Sequence, residues 1–425
     1  MMNHLVSRDE RESSVDHRGD RLAYLVLSFG LLAIVAYRSF AEGAASWDLL
    51  ALVVLGGVVG TVYRLWYGPA GTAPVETPSF RRSNAFQPVA EECRAVRERA
   101  GILEISAYGK HEVSGPGAAA FLDRLFANRL PEVGRIALTP MLSEKGRLVG
   151  DLTVARLAED RFFLVGSGGA EVYHQRWFHR HLPETGVTCR AVTRQWVGFN
   201  LAGPQARQVL QSLTDEDLGG NAFPFLAVRE MALGLVPARV GRISFTGELG
   251  FEIYVAPEYQ NTLLEMLLEA GKAVDARPIG IRALQSLRVE KGFGGWTREY
   301  SPAHLPFEAG LGRFVKLDKG EFIGREAAAA ERQAGPARKL SLFEIAATDA
   351  DLWGDEPLLE EGRCVGFVTS GAYGHSVGKS LALGYLPAAL AEPGRRFVTD
   401  SLGSAVTATV LAEPPYDPSG ARMRG

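Results

Sequence analysis

Apolar residues are distributed in three regimes along the chain. Between residues 22 and 63 lie two runs without a single charge, LAYLVLSFGLLAIVAY (22–37) and LLALVVLGGVVGTVY (49–63). With their flanks each reaches about 20 residues, the length that crosses a bilayer, and a helix of a soluble protein rarely lacks a polar face for so long. From residue 84 to 335 helical and strand spacings alternate. VAEECRAVRERAGILEI predicts a helix running into a short strand, and KHEVSGPGAAAFLDRLFANRL a strand, a turn and an amphipathic helix. RLVGDLTVARL and RFFLVGS read as a hairpin, EVYHQRWFHRHL as a helix, ARVGRISFTGELGFEIYVAP as strand–turn–strand, and NTLLEMLLEAGKAV as a helix. WVGFNLAGPQARQVLQSL repeats the strand, Gly-Pro turn and helix of VSGPGAAAFLDRL, which predicts two related α+β halves. After Gly335-Pro336 the chain turns to short strands punctuated by Gly and Pro, a small all-β domain.

The two uncharged runs predict a transmembrane helical hairpin over 21–67. Trp47, Tyr63, Trp66 and Tyr67 stand where an interfacial aromatic belt would, and Gly56 with Gly60 gives a GxxxG packing face. Arg8, Arg11, Arg18 and Arg21 precede the first run, Arg64, Arg81 and Arg82 follow the second, and the connecting loop AEGAAS has no cation. The positive-inside rule then puts both termini in the cytoplasm: a short tail (1–20), a multi-pass anchor in the inner membrane, and a folded part facing inward. GPAGTAPVETPSFRRS (68–83) reads as a linker, leaving a folded region over 84–335 and a C-terminal β-barrel domain with its tail over 336–425.

Composition adds exclusions. The net charge of −3 on 425 residues gives no electrostatic case for nucleic acid. Cys93, Cys189 and Cys364 are scattered and odd in number, which indicates neither a disulfide framework nor a metal site. GAYGHSVGKS (371–380) ends like a phosphate-binding loop, but Tyr373 stands where its first Gly belongs, and both flanks read as strands rather than strand and helix. Gly115-Pro116-Gly117-Ala118-Ala119-Ala120 formally matches a dinucleotide-binding turn, yet no βαβ unit with a ribose-binding acid follows it. No flavin or nicotinamide domain is indicated.

Four stretches carry candidate chemistry: LTPMLSEKGRLVGDLTVARL, SFTGELGFEIYV, ALQSLRVEKGF and VGFVTSGAYGHSVGKSLALGYLP. In order and content they resemble the folate-binding aminomethyltransferase family, which includes the T-protein of the glycine cleavage system and the C-terminal half of dimethylglycine and sarcosine dehydrogenases. The resemblance covers about residues 84–415 and looks closest to the dehydrogenase branch, through ECRAVRERAGILEIS, GSGGAEVYHQRWF and EKGFGGWTRE. It implies a duplicated α+β folate-binding domain with a C-terminal β-barrel, to which GAYGHSVGKS would contribute a loop and Lys379 a closing contact over the cofactor site. It implies tetrahydrofolate as cofactor, Asp151 as the acid–base group beside the reacting nitrogens, and Glu248 as the carboxylate that takes the pterin's amino and ring N–H groups. Arg288 would counter negative charge around the folate, from its tail or from Glu290, and Tyr373 would complete the cofactor site. Leu138 and Leu284 stand where the T-protein carries Tyr and Arg, a departure that favours the dehydrogenase branch. The resulting expectation is a one-carbon transferase that captures the methylene unit of an oxidised methylated amine from a separate flavoprotein subunit. The alternatives are a tetrahydrofolate-dependent O- or S-demethylase and a non-catalytic folate-binding membrane protein.

Overall fold

The structure, a computed structural model, describes residues 76, 77 and 79–425. The expected membrane hairpin lies outside the described residues. Among those described, no helix is long and apolar enough to cross a membrane.

The first half opens with α1 (Phe86–Glu98) and β1 (Gly101–Glu104), then β2 (Gly109–Ser114) and α2 (Ala118–Leu125). The hairpin β3 (Ile136–Leu142) and β4 (Leu148–Ala158) follows, with β5 (Arg161–Gly166), α3 (Glu171–His181) and β6 (Thr188–Ala191). The second half repeats the grammar with β7 (Val197–Ala202), α4 (Ala206–Gln211), β8 (Val228–Leu233), β9 (Val236–Gly241), β10 (Gly250–Val255), α5 (Gln260–Gly271), β11 (Arg277–Pro278) and α6 (Ile281–Glu290). Each half builds a sheet, ordered β3-β4-β5-β2-β6 and β11-β1-β7-β10-β9-β8, so β1 from the first half completes the second sheet.

Three apolar layers follow from this arrangement. Helices α2 and α3 cover the outer face of the first sheet with Phe121, Leu122, Leu125 and Phe178. Helices α4 and α5 cover the outer face of the second with Val209, Leu210, Leu263 and Leu267. Between the sheets lies a mixed layer, joined at its edge by α1 and α6 through Val96, Ala283, Leu284 and Leu287. The third body follows α7 (Arg325–Ala334): β12 (Arg338–Ile345), β13 (Pro357–Glu360), β14 (Arg363–Gly374), β15 (Lys379–Pro387), β16 (Arg396–Ser401) and β17 (Ser404–Val410) close into a six-stranded barrel. The α+β class and the C-terminal barrel expected from the sequence are both present.

Three sequence expectations need correction. Arg81 and Arg82, read as linker, are pinned to the barrel: Arg82 holds Asp351 through Nε and Nη2, each at 2.9 Å, and Arg81 pairs with Asp349. The stretch GAYGHSVGKS forms the β14–β15 hairpin as expected, but Lys379 closes nothing over a site. Its ammonium pairs with Glu344 at 2.6 Å on the half-exposed barrel wall. The segment after β17 is not a free tail: Tyr416, Asp417 and Arg422 fold back onto the α+β region, as described next.

Candidate functional site

Strand alternation decides which side chains meet between the sheets. On β4, Leu152 and Val154 turn outward to α2 and α3, so Asp151, Thr153 and Ala155 turn inward. On β10, Phe251, Ile253 and Val255 turn outward to α4 and α5, so Glu252 and Tyr254 turn inward. Thr153, Ala155, Glu252 and Tyr254 line a cavity of about 20 Å³ together with Arg239 of β9, Phe163 and Ile243, roughly the room of one water; Asp151 lies outside that lining.

Two carboxyl groups on these inward faces are electrostatically poised. Asp151 is half-buried as a residue, yet its Oδ1 is sealed from solvent and has no hydrogen-bond partner. Burial pushes its carboxyl up to about 7, and the negative charge of Glu299 adds to the rise. Burial likewise pushes Glu252 up to about 7, partly offset by the Tyr254 hydroxyl, which donates to Oε2 at 2.7 Å, and by the charge of Lys110. Among the described residues no cation ion-pairs with Glu252. A carboxyl that titrates near neutrality can both take and give a proton.

Glu248 has a different environment. It sits in the turn between β9 and β10, 2% exposed, and both of its oxygens are hydrogen-bonded. Arg97 of α1 donates to Oε1 at 3.2 Å, Arg422 Nε reaches both oxygens at 3.0 and 2.9 Å, and the Tyr416 hydroxyl also donates to Oε1. Arg97 extends the knot to Glu290 at 2.6 Å, whose other oxygen accepts from the Ser376 backbone N–H at 2.7 Å. Lys291 holds Asp417 at 3.2 Å. The C-terminal segment is thereby clamped onto the turn that leads into β10.

Arg288 pairs with neither Glu290 nor open space. Its Nη1 meets Glu299 at 2.9 Å and its Nη2 meets Ser370 of the barrel at 2.8 Å, all three residues being buried. Glu299 also accepts from Thr369 at 2.9 Å, so this second knot ties α6 to the barrel. Tyr373 directs its ring at Phe86, His375 and the Arg82 guanidinium, the last at 4.2 Å from the ring centre. The structure therefore joins Glu248 with Glu290 and gives Arg288 to Glu299; Asp151 hydrogen-bonds to neither knot but feels the charge of Glu299. The residue that sequence reasoning passed over is Glu252. Its signal was present: in GELGFEIYV the strand parity that turns Phe251 and Ile253 one way turns Glu252 the other.

Tetrahydrofolate chemistry fits the Asp151 carboxyl: its Oδ1, buried and without a hydrogen-bond partner, is an acceptor for a reacting nitrogen. The cavity beside Glu252, with room for about one water, does not admit a pterin ring.

Comparison with known proteins gives a consistent result. Residues 52–319 match the GCVT N-terminal domain, and residues 338–417 match the glycine cleavage T-protein C-terminal barrel domain. The first match begins inside the second uncharged run. Mitochondrial dimethylglycine dehydrogenase of Mus musculus is 37% identical over 364 residues, which is 84% of this chain and 42% of that protein. An aminomethyltransferase of Desulfitobacterium hafniense is 32% identical over 353 residues, 83% of this chain and 96% of that one. Sarcosine oxidase subunit alpha of Rhizobium meliloti is 33% identical over 391 residues, with 84% of this chain and 39% of that subunit covered. Among solved structures, the glycine cleavage system aminomethyltransferase T of Bartonella henselae superposes with a TM-score of 0.72 at 26% identity, covering 84% of this chain and 97% of that one. The chain thus spans about two-fifths of the length of the dimethylglycine dehydrogenases it matches (42% for the mouse protein).

Proposed function

Because the chain belongs to the glycine cleavage T-protein family, whose aminomethyltransferases use tetrahydrofolate, we propose that it is a tetrahydrofolate-dependent one-carbon transferase. Its donor, in this reading, is the imine or formaldehyde released when a methylated amine such as dimethylglycine or sarcosine is oxidised. Likeness to dimethylglycine dehydrogenase and sarcosine oxidase supports that donor class, and a flavoprotein dehydrogenase is the corresponding partner. Leu284 supports it too, since the position where the T-protein carries Arg is packed into the apolar layer between the sheets.

The observation that carries the proposal is the Asp151 carboxyl, whose buried Oδ1 has no hydrogen-bond partner and which burial holds near neutrality. Tetrahydrofolate supplies, when bound, the secondary amine nitrogens to which a one-carbon unit attaches. Glu248 is the carboxylate to which the family motif would give the pterin's amino and N–H hydrogens; Arg97, Arg422 and Tyr416 hold it in this structure. Asp151 Oδ1 takes a proton from a reacting nitrogen and returns it, a role that a carboxyl near pH 7 performs in either direction. The Glu248 knot keeps the β9–β10 turn fixed, so Glu252 enters its strand at a defined height. The Arg288–Glu299 knot places a buried negative charge where it raises Asp151.

The test is calorimetry of full-length protein with tetrahydrofolate, followed by the rate of 5,10-methylenetetrahydrofolate formation from formaldehyde or from a dehydrogenase turning over dimethylglycine. Saturable binding and a protein-dependent rate are expected. A protein that neither binds tetrahydrofolate nor accelerates methylene capture sinks the proposal. Attachment to the inner membrane through residues 21–67, with the folded part facing the cytoplasm, is the accompanying proposal, supported by the two uncharged runs and the flanking arginines.

A further inference from the structure

Three arginines converge at the outer edge of the second sheet. Glu91 and Arg94 are three positions apart on α1 and so share one of its faces. β11 is the outermost strand of that sheet, and its parallel register sets Arg277 beside Gly101, two residues past Arg99. Glu92 Oε2 accepts from the Gly280 backbone N–H at 2.8 Å, which fastens α1 to the segment after β11. Glu91, Arg94, Arg99 and Arg277 together line a groove of about 270 Å³. That is roughly the liquid volume of nine waters.

The groove holds more donors than acceptors. Among the described residues Arg94 has no hydrogen bond or ion pair. Arg99 pairs with Asp275, yet its Nε is buried and has no hydrogen-bond partner. Arg277 stands 3.5 Å from Glu91 and 3.7 Å from Asp275, both too long for a formed hydrogen bond. A buried N–H without an acceptor costs free energy, and guanidiniums crowded at one site repel one another. Both costs fall when an anion rich in acceptor oxygens enters. A carboxylate has two oxygens and serves one guanidinium fork, whereas a phosphate ester brings three acceptor oxygens and a charge of about −1.5 to −2. Inorganic phosphate leaves part of the groove unfilled. Glu91 is the carboxylate on its wall, an acceptor for a hydroxyl or an ammonium.

We propose that this groove binds a phosphate group carrying a short hydroxyl- or ammonium-bearing arm, as in a small phosphate ester or a phosphoethanolamine lipid headgroup. Arg94, Arg99 and Arg277 take the phosphate oxygens, and Glu91 takes the ammonium or hydroxyl of the arm. None of the four residues belongs to the two ion-pair knots or lines the cavity between the sheets. The site is therefore independent of the tetrahydrofolate reading.

Full-length protein in detergent is titrated by calorimetry with inorganic phosphate, O-phosphoethanolamine and dihexanoyl phosphatidylethanolamine. Saturable binding of a phosphoethanolamine compound, tighter than that of inorganic phosphate, is expected. Tighter binding of the monoester supports a soluble ligand, and tighter binding of the lipid supports a headgroup. Arg94→Gln breaks no existing contact, so Tm should hold while affinity falls at least about tenfold, the scale of one charge-assisted bond. Arg99→Lys keeps a cation for Asp275 but places a methylene where arginine has Nε–H, and should weaken binding about fivefold. Glu91→Gln should bring O-phosphoethanolamine down to the affinity of inorganic phosphate, and a preference that survives it overturns the role given to Glu91. Arg332→Gln removes an exposed arginine of α7 outside the groove and should change nothing. If it weakens binding as much as Arg94→Gln does, the attraction is one of general charge and the proposal is overturned. Binding that both Arg94→Gln and Arg99→Lys leave intact places the ligand elsewhere and overturns it too, as does a wild type that binds none of the three probes.

Discussion

Glu248 and Glu252 are four positions apart and differ in what their removal costs. Glu248→Gln leaves Arg97 and Arg422 without their common anion, and breaking a buried pair by removing one partner costs about 3–5 kcal/mol. Denaturant unfolding should show that loss. Glu252→Gln removes no ion pair, so stability should change little in the same measurement. Asp151→Asn should fold normally and slow methylene capture at least about tenfold, the low end of the contribution of a positioned acid–base group. The pH dependence has a definite sign. The native carboxyl of Asp151 sits near 7 against an ordinary 3.8, so between those values the folded protein holds the proton more tightly than the unfolded chain. Stability therefore falls as pH rises through that window, and Asp151→Asn should flatten the slope. A base-limited rate climbs across pH 7 in wild type, and a variant that keeps the same rising limb would reassign it to another group.

Among the elements, the repeated strand–Gly-Pro–helix unit was legible because its turn demands a particular backbone. Gly203, between β7 and α4, has φ +134, and a Cβ there would meet the Arg99 carbonyl oxygen at 2.4 Å. Gly203→Ala should lower stability by on the order of 1–3 kcal/mol, read from thermal unfolding, since neither backbone can move without breaking the β1–β7 pairing. The β14–β15 hairpin was legible for a similar reason: glycine spacing and apolar flanks allow two strands and no helix. The C-terminal segment was not legible, because EPPYDPSGARMRG has no periodicity and its order comes from contacts far away in the chain. Ending the chain at Pro415 removes Tyr416 and Arg422 from Glu248. Lower Tm and weaker tetrahydrofolate binding should follow together, and a truncated chain with unchanged affinity would show that the knot does not position β10.

For the molecule as a whole, fold class and family were readable before any coordinates, through three bodies of distinct patterning and four motif stretches in a fixed order. The membrane proposal belongs to this scale as well. Full-length protein should sediment with membranes, and its folded part should resist external protease in spheroplasts; digestion from outside would reverse the orientation, and a chain that stays in the supernatant would remove the hairpin.

What the sequence determined by itself was local: which segments are strands, where glycine must turn the chain, and which face of each strand is apolar. Those follow from period, backbone sterics and hydrophobicity, all of which act between near neighbours. Which charges neutralise one another was decided only by the tertiary structure. Arg97 and Arg422 are separated by the whole folded chain, yet both converge on Glu248. Arg288 passes over nearby Glu290 for Glu299 because α6 faces the barrel at that point. Glu252 keeps the Tyr254 hydroxyl as its hydrogen-bond partner, while Arg239, diagonal to it on the neighbouring strand, turns its Nη2 to Glu230. An ion pair is formed by distance in space, and that distance is set by the packing of two sheets and a barrel that no single stretch of sequence contains.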